Sequence, residues 1–129
     1  MWYNESDLPA TKSGKESDII VSIINLFKQM DTNTGVEEFL NTDNAVLLDV
    51  RTKEEYEAGH IKNSMNIPLQ SIETSTEKIA DKNTPLFVYC QSGARSKKAT
   101  AALKTMGYEN ITNIGGISKY NGKLEKGDL

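Results

Sequence analysis

Two stretches, residues 45–50 and 85–90, are almost continuously apolar, of strand length, and separated by segments with helical character. A run without the in-out alternation of a one-sided sheet predicts a strand covered on both faces, and strands that alternate with helices predict an α/β domain built on a parallel sheet. The second run, Leu86-Phe87-Val88-Tyr89-Cys90, is rich in β-branched and aromatic residues and ends on the single cysteine of the chain. In an open parallel sheet the ligand crevice lies beyond the carboxyl ends of the strands, so the pattern puts a thiol where this architecture does its chemistry.

The remaining elements fill in around these two strands. Thr52 before Lys53 to Ala58, then Gly59, predicts an N-cap, a short helix and a glycine stop. A brief helix is expected over residues 36–40, a short strand over 64–67 ended by Pro68, and a helical stretch between Ser71 and Ala80. Ala99, Ala102, Leu103 and Met106 fall at i, i+3, i+4, i+7 in a helix over 94–106, with Lys97, Lys98 and Lys104 toward solvent and Gly107 closing it. A last strand is expected over 110–114, and the polar residues from Asn121, with 123–129 as a tail, are expected to fray.

Upstream, residues 1–17 are polar, contain Pro9 and Gly14, and read as a loose arm. Over residues 18–31, Ile20, Ile23, Ile24 and Phe27 make the stripe of an amphipathic helix capped by Ser17 or Asp18. Lys28 stands alone there against Asp18 and Asp31, which favours packing on the domain, or on a second copy as a homodimer, over a membrane surface. The domain proper is then 32–122.

Composition narrows the function. With 129 residues, 26% charged and a net charge of −3, the chain suits one solvated globular domain and offers no basic stripe for nucleic acid. The longest apolar stretch, residues 19–27, is interrupted by Ser22 and Asn25 and falls short of the ~18 to 20 residues of a membrane span. No basic, apolar leader opens the sequence, and one cysteine makes neither a disulfide framework nor a Cys-rich zinc site; a reduced thiol in the cytoplasm, with no metal and no cofactor, is the expectation.

The cysteine is followed by Gln91-Ser92-Gly93-Ala94-Arg95-Ser96, a polar turn running into a helix. Backbone N–H groups of residues 91–95 would turn inward around the sulfur, with Gly93 allowing the tight turn, and the positive end of the helix would add to them. Such a ring favours thiolate over thiol and receives an anion attached to that sulfur. Ser92 and Ser96 can supply hydroxyl donors, and Lys97 and Lys98 can attract an anionic donor from the helix face. Arg95 in a first helical turn works against the dipole unless something anionic is bound. A small buried cysteine that only packs would gain nothing from this loop.

The loop 90–96 resembles the active loop of rhodanese-like sulfurtransferases. Asp49-Val50-Arg51, Gly59-His60-Ile61, Asn66-Ile67-Pro68 and Gly115-Gly116-Ile117 continue the resemblance, which covers about residues 35–121, with Tyr120 where members often carry Trp. The resemblance implies a three-layer α/β fold with a central, mostly parallel sheet between helices. It further implies a catalytic Cys90 that takes a sulfane sulfur from a small anionic donor such as thiosulfate and passes it, through a persulfide, to a thiophilic acceptor, cyanide or a thiol, including one on a protein. Gln91, Ser92, Gly93, Ala94, Arg95 and Ser96 would bind substrate, Asp49 and Arg51 would support the loops as a salt bridge, and His60 would be scaffold. A sulfur-carrier or protein-interaction module with little turnover is the alternative. Phosphatase or arsenate reductase chemistry is disfavoured: those sites separate Cys and Arg by five residues, four intervene here, and no second cysteine resolves an intermediate.

Overall fold

A computed structural model describes residues 30–127. The arm over 1–17 and the helix expected from residue 18 lie outside the described residues. Residues 30 and 31, where that helix was expected to end, are not helical: the Met30 N–H bonds the Asn113 carbonyl at 3.0 Å, and Asp31 caps the following helix through the Thr34 N–H.

The central sheet holds four strands in the order β3-β1-β4-β5, all parallel: β1 (Val46–Asp49), β3 (Ser64–Asn66), β4 (Leu86–Cys90) and β5 (Ile111–Gly116). Helix α1 (Thr32–Leu40) covers one face, and the Thr32 hydroxyl bonds the Ile114 and Gly116 carbonyls of β5 at 2.7 and 3.0 Å. Helix α4 (Ala94–Thr105) covers the other, with a 3-10 turn over Leu69–Thr74 and the one-turn α3 (Ser75–Lys78) beside it. Helix α2 (Lys53–Ala58) follows β1.

The unalternating runs are explained by this sandwich. Leu47, Phe87, Tyr89 and Ile114 pack with Val36, Ile61 and Ile117 on the α1 side, whereas Leu48, Leu86, Val88 and Cys90 pack with Ala99, Leu103 and Tyr108 on the α4 side. Apolar residues are therefore needed at successive positions, each large one contributing about 1.5 to 3 kcal/mol by its burial. Tyr120 packs at the edge of the α1-side core.

Three expectations change. The helix expected over 36–40 begins four residues earlier because Asp31 caps it, and the one expected between Ser71 and Ala80 is divided between the 3-10 turn Leu69–Thr74 and the α-helical turn Ser75–Lys78. The tail does not fray at Asn121: β6 (Leu124–Glu125) pairs antiparallel with β2 (His60–Ile61), and the Gly127 N–H bonds the Glu57 carbonyl at 2.8 Å. Backbone pairing with a distant two-residue strand, not side-chain burial, holds that segment, and Leu124 is half exposed there. Among the described residues no helix is long and apolar enough to cross a membrane.

Candidate active site

Three strand ends converge on Cys90. β4 delivers the sulfur; β1 ends in Asp49 with Arg51 two residues on; β5 ends in Gly115 and Gly116, paired with Tyr89 and Cys90 across a register shift. Gly93 adopts φ +113°, a left-handed conformation open to glycine, and the chain turns there directly into α4 with no side-chain cap. The free N–H groups at the start of the helix are thereby left to the sulfur, and the Gly93 N–H donates to Cys90 Sγ at 3.0 Å. Gly116 allows the loop to close: a Cβ there would collide with the Gln91 carbonyl and the Ser92 Cα. The Gln91 carbonyl accepts from the Ser118 N–H at 3.2 Å.

Cys90 is 1% exposed, at the floor of the loop, while Gln91, Ser92 and Ala94 are open to solvent. Burial alone would raise the thiol pKa. The Ser96 hydroxyl and the N–H groups of Ser96, Gly93 and Ser92 outweigh it, and the net shift is downward. Neutral donors thus favour the thiolate over the thiol. The buried Ser96 hydroxyl lies 3.0 Å from the Gly93 carbonyl and 2.9 Å from Asn113 Oδ1, and Asn113 Oδ1 also accepts from the Gly115 N–H at 2.9 Å. With one proton to give, Ser96 can turn it from these oxygens to the sulfur when Cys90 ionises.

Arg95 does not stand free. Its Nη1 and Nη2 donate to Glu55 Oε1 and Oε2 at 2.7 and 3.0 Å, so the anion that offsets an arginine at this helix end is a side chain of the protein itself. This corrects the expectation that only a bound anion would do so. Glu55 is also the N3 residue of a capping box on α2, accepting from the Thr52 N–H at 2.9 Å while the Thr52 hydroxyl accepts from the Glu55 N–H. Arg95, above all, holds the Glu55 pKa down at about 2.

Asp49 and Arg51 form a buried pair, 0% and 4% exposed, with Nη2 to Oδ2 at 2.7 Å. Arg51 also donates to the Gly59 carbonyl at 2.7 Å and, from Nη1, to Gln91 Oε1 at 3.4 Å, which ties the pair to the cysteine loop. Burial alone would lower the Arg51 pKa, and Asp49 more than offsets it. The buried His60 ring stacks on Tyr56, with Nδ1 2.8 Å from the Tyr56 carbonyl. Lys97 and Lys98 are exposed. Among the described residues no cluster of His, Cys, Asp and Glu could hold a metal ion.

Sequence reasoning did not find the contributions of Glu55 and Asn113. The spacing of Thr52 and Glu55 signals a capping box, but nothing local to it points to Arg95, 40 residues away.

A doubly covered parallel sheet with an anion-stabilising cysteine loop at its carboxyl edge defines an α/β domain equipped for thiolate chemistry. The family model described as Rhodanese-like domain matches residues 32–123, and the chain belongs to that family. It is 37% identical over 91 residues to a tRNA uridine(34) hydroxylase of Buchnera aphidicola, covering 66% of this chain and 29% of that protein. To the thiosulfate sulfurtransferase PspE of Escherichia coli it is 38% identical over 71 residues, 54% of this chain and 68% of that one. A solved structure, a rhodanese with anions from E. coli, superimposes with a TM-score of 0.60 at 34% identity, over 64% of this chain and 99% of that chain. The chain thus spans less than a third of the length of the hydroxylase it matches.

Proposed function

We propose that this protein is a sulfurtransferase in which the Cys90 thiolate attacks the sulfane sulfur of a donor, becomes a persulfide, and yields that sulfur to a thiophilic acceptor such as cyanide or a thiol. The observation that carries the reading is the set of neutral donors, the Ser96 hydroxyl and the N–H groups of Ser92, Gly93 and Ser96, that lowers the pKa of a sulfur sitting at the carboxyl edge of the sheet. The same donors suit the persulfide anion, whose charge lies one atom further out. In this reading Cys90 is the nucleophile, residues 91–96 bind the transferred sulfur, and Asp49 and Arg51 hold the loop through Gln91. The family, and the name of its relative PspE, agree with this chemistry. A single thiol of this kind is best kept reduced in the cytoplasm.

The test is intact-protein mass spectrometry after incubation with a sulfane-sulfur donor and then cyanide, on the wild type and Cys90→Ser. The wild type should gain one sulfur atom and lose it to cyanide, and the variant should gain none. A sulfur that loads but passes only to a protein thiol would make this a carrier module. Loading of the variant would remove Cys90 from the mechanism.

A further inference from the structure

Both guanidinium groups beside the cysteine loop are already spent on carboxylates. Arg51 is paired with Asp49 and Arg95 with Glu55, each pair summing to zero charge. The groups that stabilise Cys90 are hydroxyl and N–H donors, which carry no net charge. Among the described residues, an ionised Cys90 therefore leaves the immediate site negative, relieved by the partial positive end of α4 and by the attraction of the already paired Arg95. Lys97 and Lys98 form no ion pair among the described residues, but they are exposed on the helix, and solvated charges of this kind are screened within about 10 Å at ordinary salt.

Resting on the sulfurtransferase reading, we propose that the Glu55–Arg95 pair sets the donor class, admitting singly charged alkyl hydropersulfides in preference to dianionic thiosulfate. Arg95 is the cation best placed to receive a second negative charge, and a dianion could recruit it only by displacing Glu55. That carboxylate is fixed from two sides: by both Nη atoms of Arg95, and by the Thr52 N–H and hydroxyl at 2.9 and 3.1 Å in the cap of α2. It also stays ionised far into acid, so lowering the pH does not free Arg95.

The two transfers balance alike but differ in charge. With a hydropersulfide, the Cys90 thiolate attacks the terminal sulfur of R–S–S⁻; the new S–S bond forms as the old one breaks, and its electron pair leaves on R–S⁻. Two single negative charges meet and two separate. With thiosulfate the same bond exchange releases sulfite, SO3²⁻, and a charge of −2 must approach a charge of −1. In a site where the described residues place no unpaired guanidinium beside the sulfur, the second encounter is the disfavoured one.

Glu55→Gln keeps the size of the side chain and an oxygen for Thr52 while releasing the charge of Arg95. Rates of Cys90 persulfide formation are measured by rapid-quench mass spectrometry, with thiosulfate and with 2-hydroxyethyl persulfide, for both proteins. The wild type should load faster from the persulfide, and E55Q should raise the thiosulfate-to-persulfide rate ratio about tenfold, the low end of what charge lining a cleft does to ion association. Damage to the fold would slow both donors together and leave the ratio where it was. The wild type supplies a readout that does not depend on the variant folding: added potassium chloride should raise the same ratio, because it screens a repulsion felt more strongly by the dianion.

A wild type that prefers thiosulfate, a ratio that falls with salt, or a folded E55Q with an unchanged ratio would each overturn the donor assignment while leaving sulfur transfer intact. Failure of both donors to load Cys90 would instead overturn the sulfurtransferase reading, and this inference with it.

Discussion

At the scale of single residues, Cys90 is a buried group whose pKa falls although burial pushes it the other way. The outcome depends on hydrogen bonds more than on charge, since Arg95 is neutralised by Glu55 and Ser96 is the strongest donor to the sulfur. A hydrogen bond to a charged group contributes about 1.5 to 3 kcal/mol, so Ser96→Ala should slow persulfide formation roughly ten- to hundredfold. The pH dependence separates this from a packing defect. Because the folded pKa of Cys90 lies below the ordinary thiol value, alkylation by iodoacetamide should persist at pH values where free cysteine is unreactive and decline only as pH falls through that lowered pKa. In Ser96→Ala the decline should set in at higher pH; a profile superimposable on the wild type would show that Ser96 does not hold the thiolate.

At the scale of elements, the cradle depends on how β5 ends. Asn113 bonds the Gly115 N–H across the register shift and brings Gly116 opposite Cys90, where the absence of a side chain lets Gln91 and Ser92 lie against the strand. Gly116 has ordinary extended angles, φ −119° and ψ 143°, so alanine meets no backbone objection and acts through its Cβ alone. Gly116→Ala should cost about 1 to 3 kcal/mol, as overpacking does, and cut sulfur loading more severely than its loss of stability explains. Urea melts and loading rates on the same sample check this; a fully active variant would show that the loop does not depend on close approach to β5. Elements were legible in the sequence where their causes are local. Thr52 and Gly59 delimit α2 within eight residues, and the buried runs ending at Asp49 and Cys90 mark the two central strands. Contacts that close over long separations were not legible. The pairing of Leu124 with Ile61 joins two-residue strands that have no periodicity to detect, and β5 runs past Ile114 because of the Asn113 side chain, not because apolar residues continue. The cysteine loop was readable as a sequence, whereas the counter-charge on Arg95 comes from another helix and became visible only when the chain folded.

At the scale of the whole molecule, the Glu55–Arg95 pair joins α2, which follows β1, to α4, which follows β4, so it links site electrostatics to stability. Glu55 has its pKa depressed from 4.5 to about 2 in the folded protein, chiefly by Arg95. A depressed carboxylate contributes stability in full above its unfolded pKa and loses that contribution as pH falls through the folded one. The window for Glu55 is therefore from about 4.5 down to about 2. Both partners are 34% exposed, and solvent screening reduces the pair to about 1 kcal/mol or less. Wild type and Glu55→Gln share every other titrating group, so the difference between their urea-unfolding free energies isolates this contribution. It should favour the wild type by about 1 kcal/mol near neutrality, hold steady down to about pH 4.5, and shrink as the carboxylate protonates toward pH 2. A difference independent of pH would mean that the side chain acts through packing alone, and Arg95 would then be free to meet a dianionic donor.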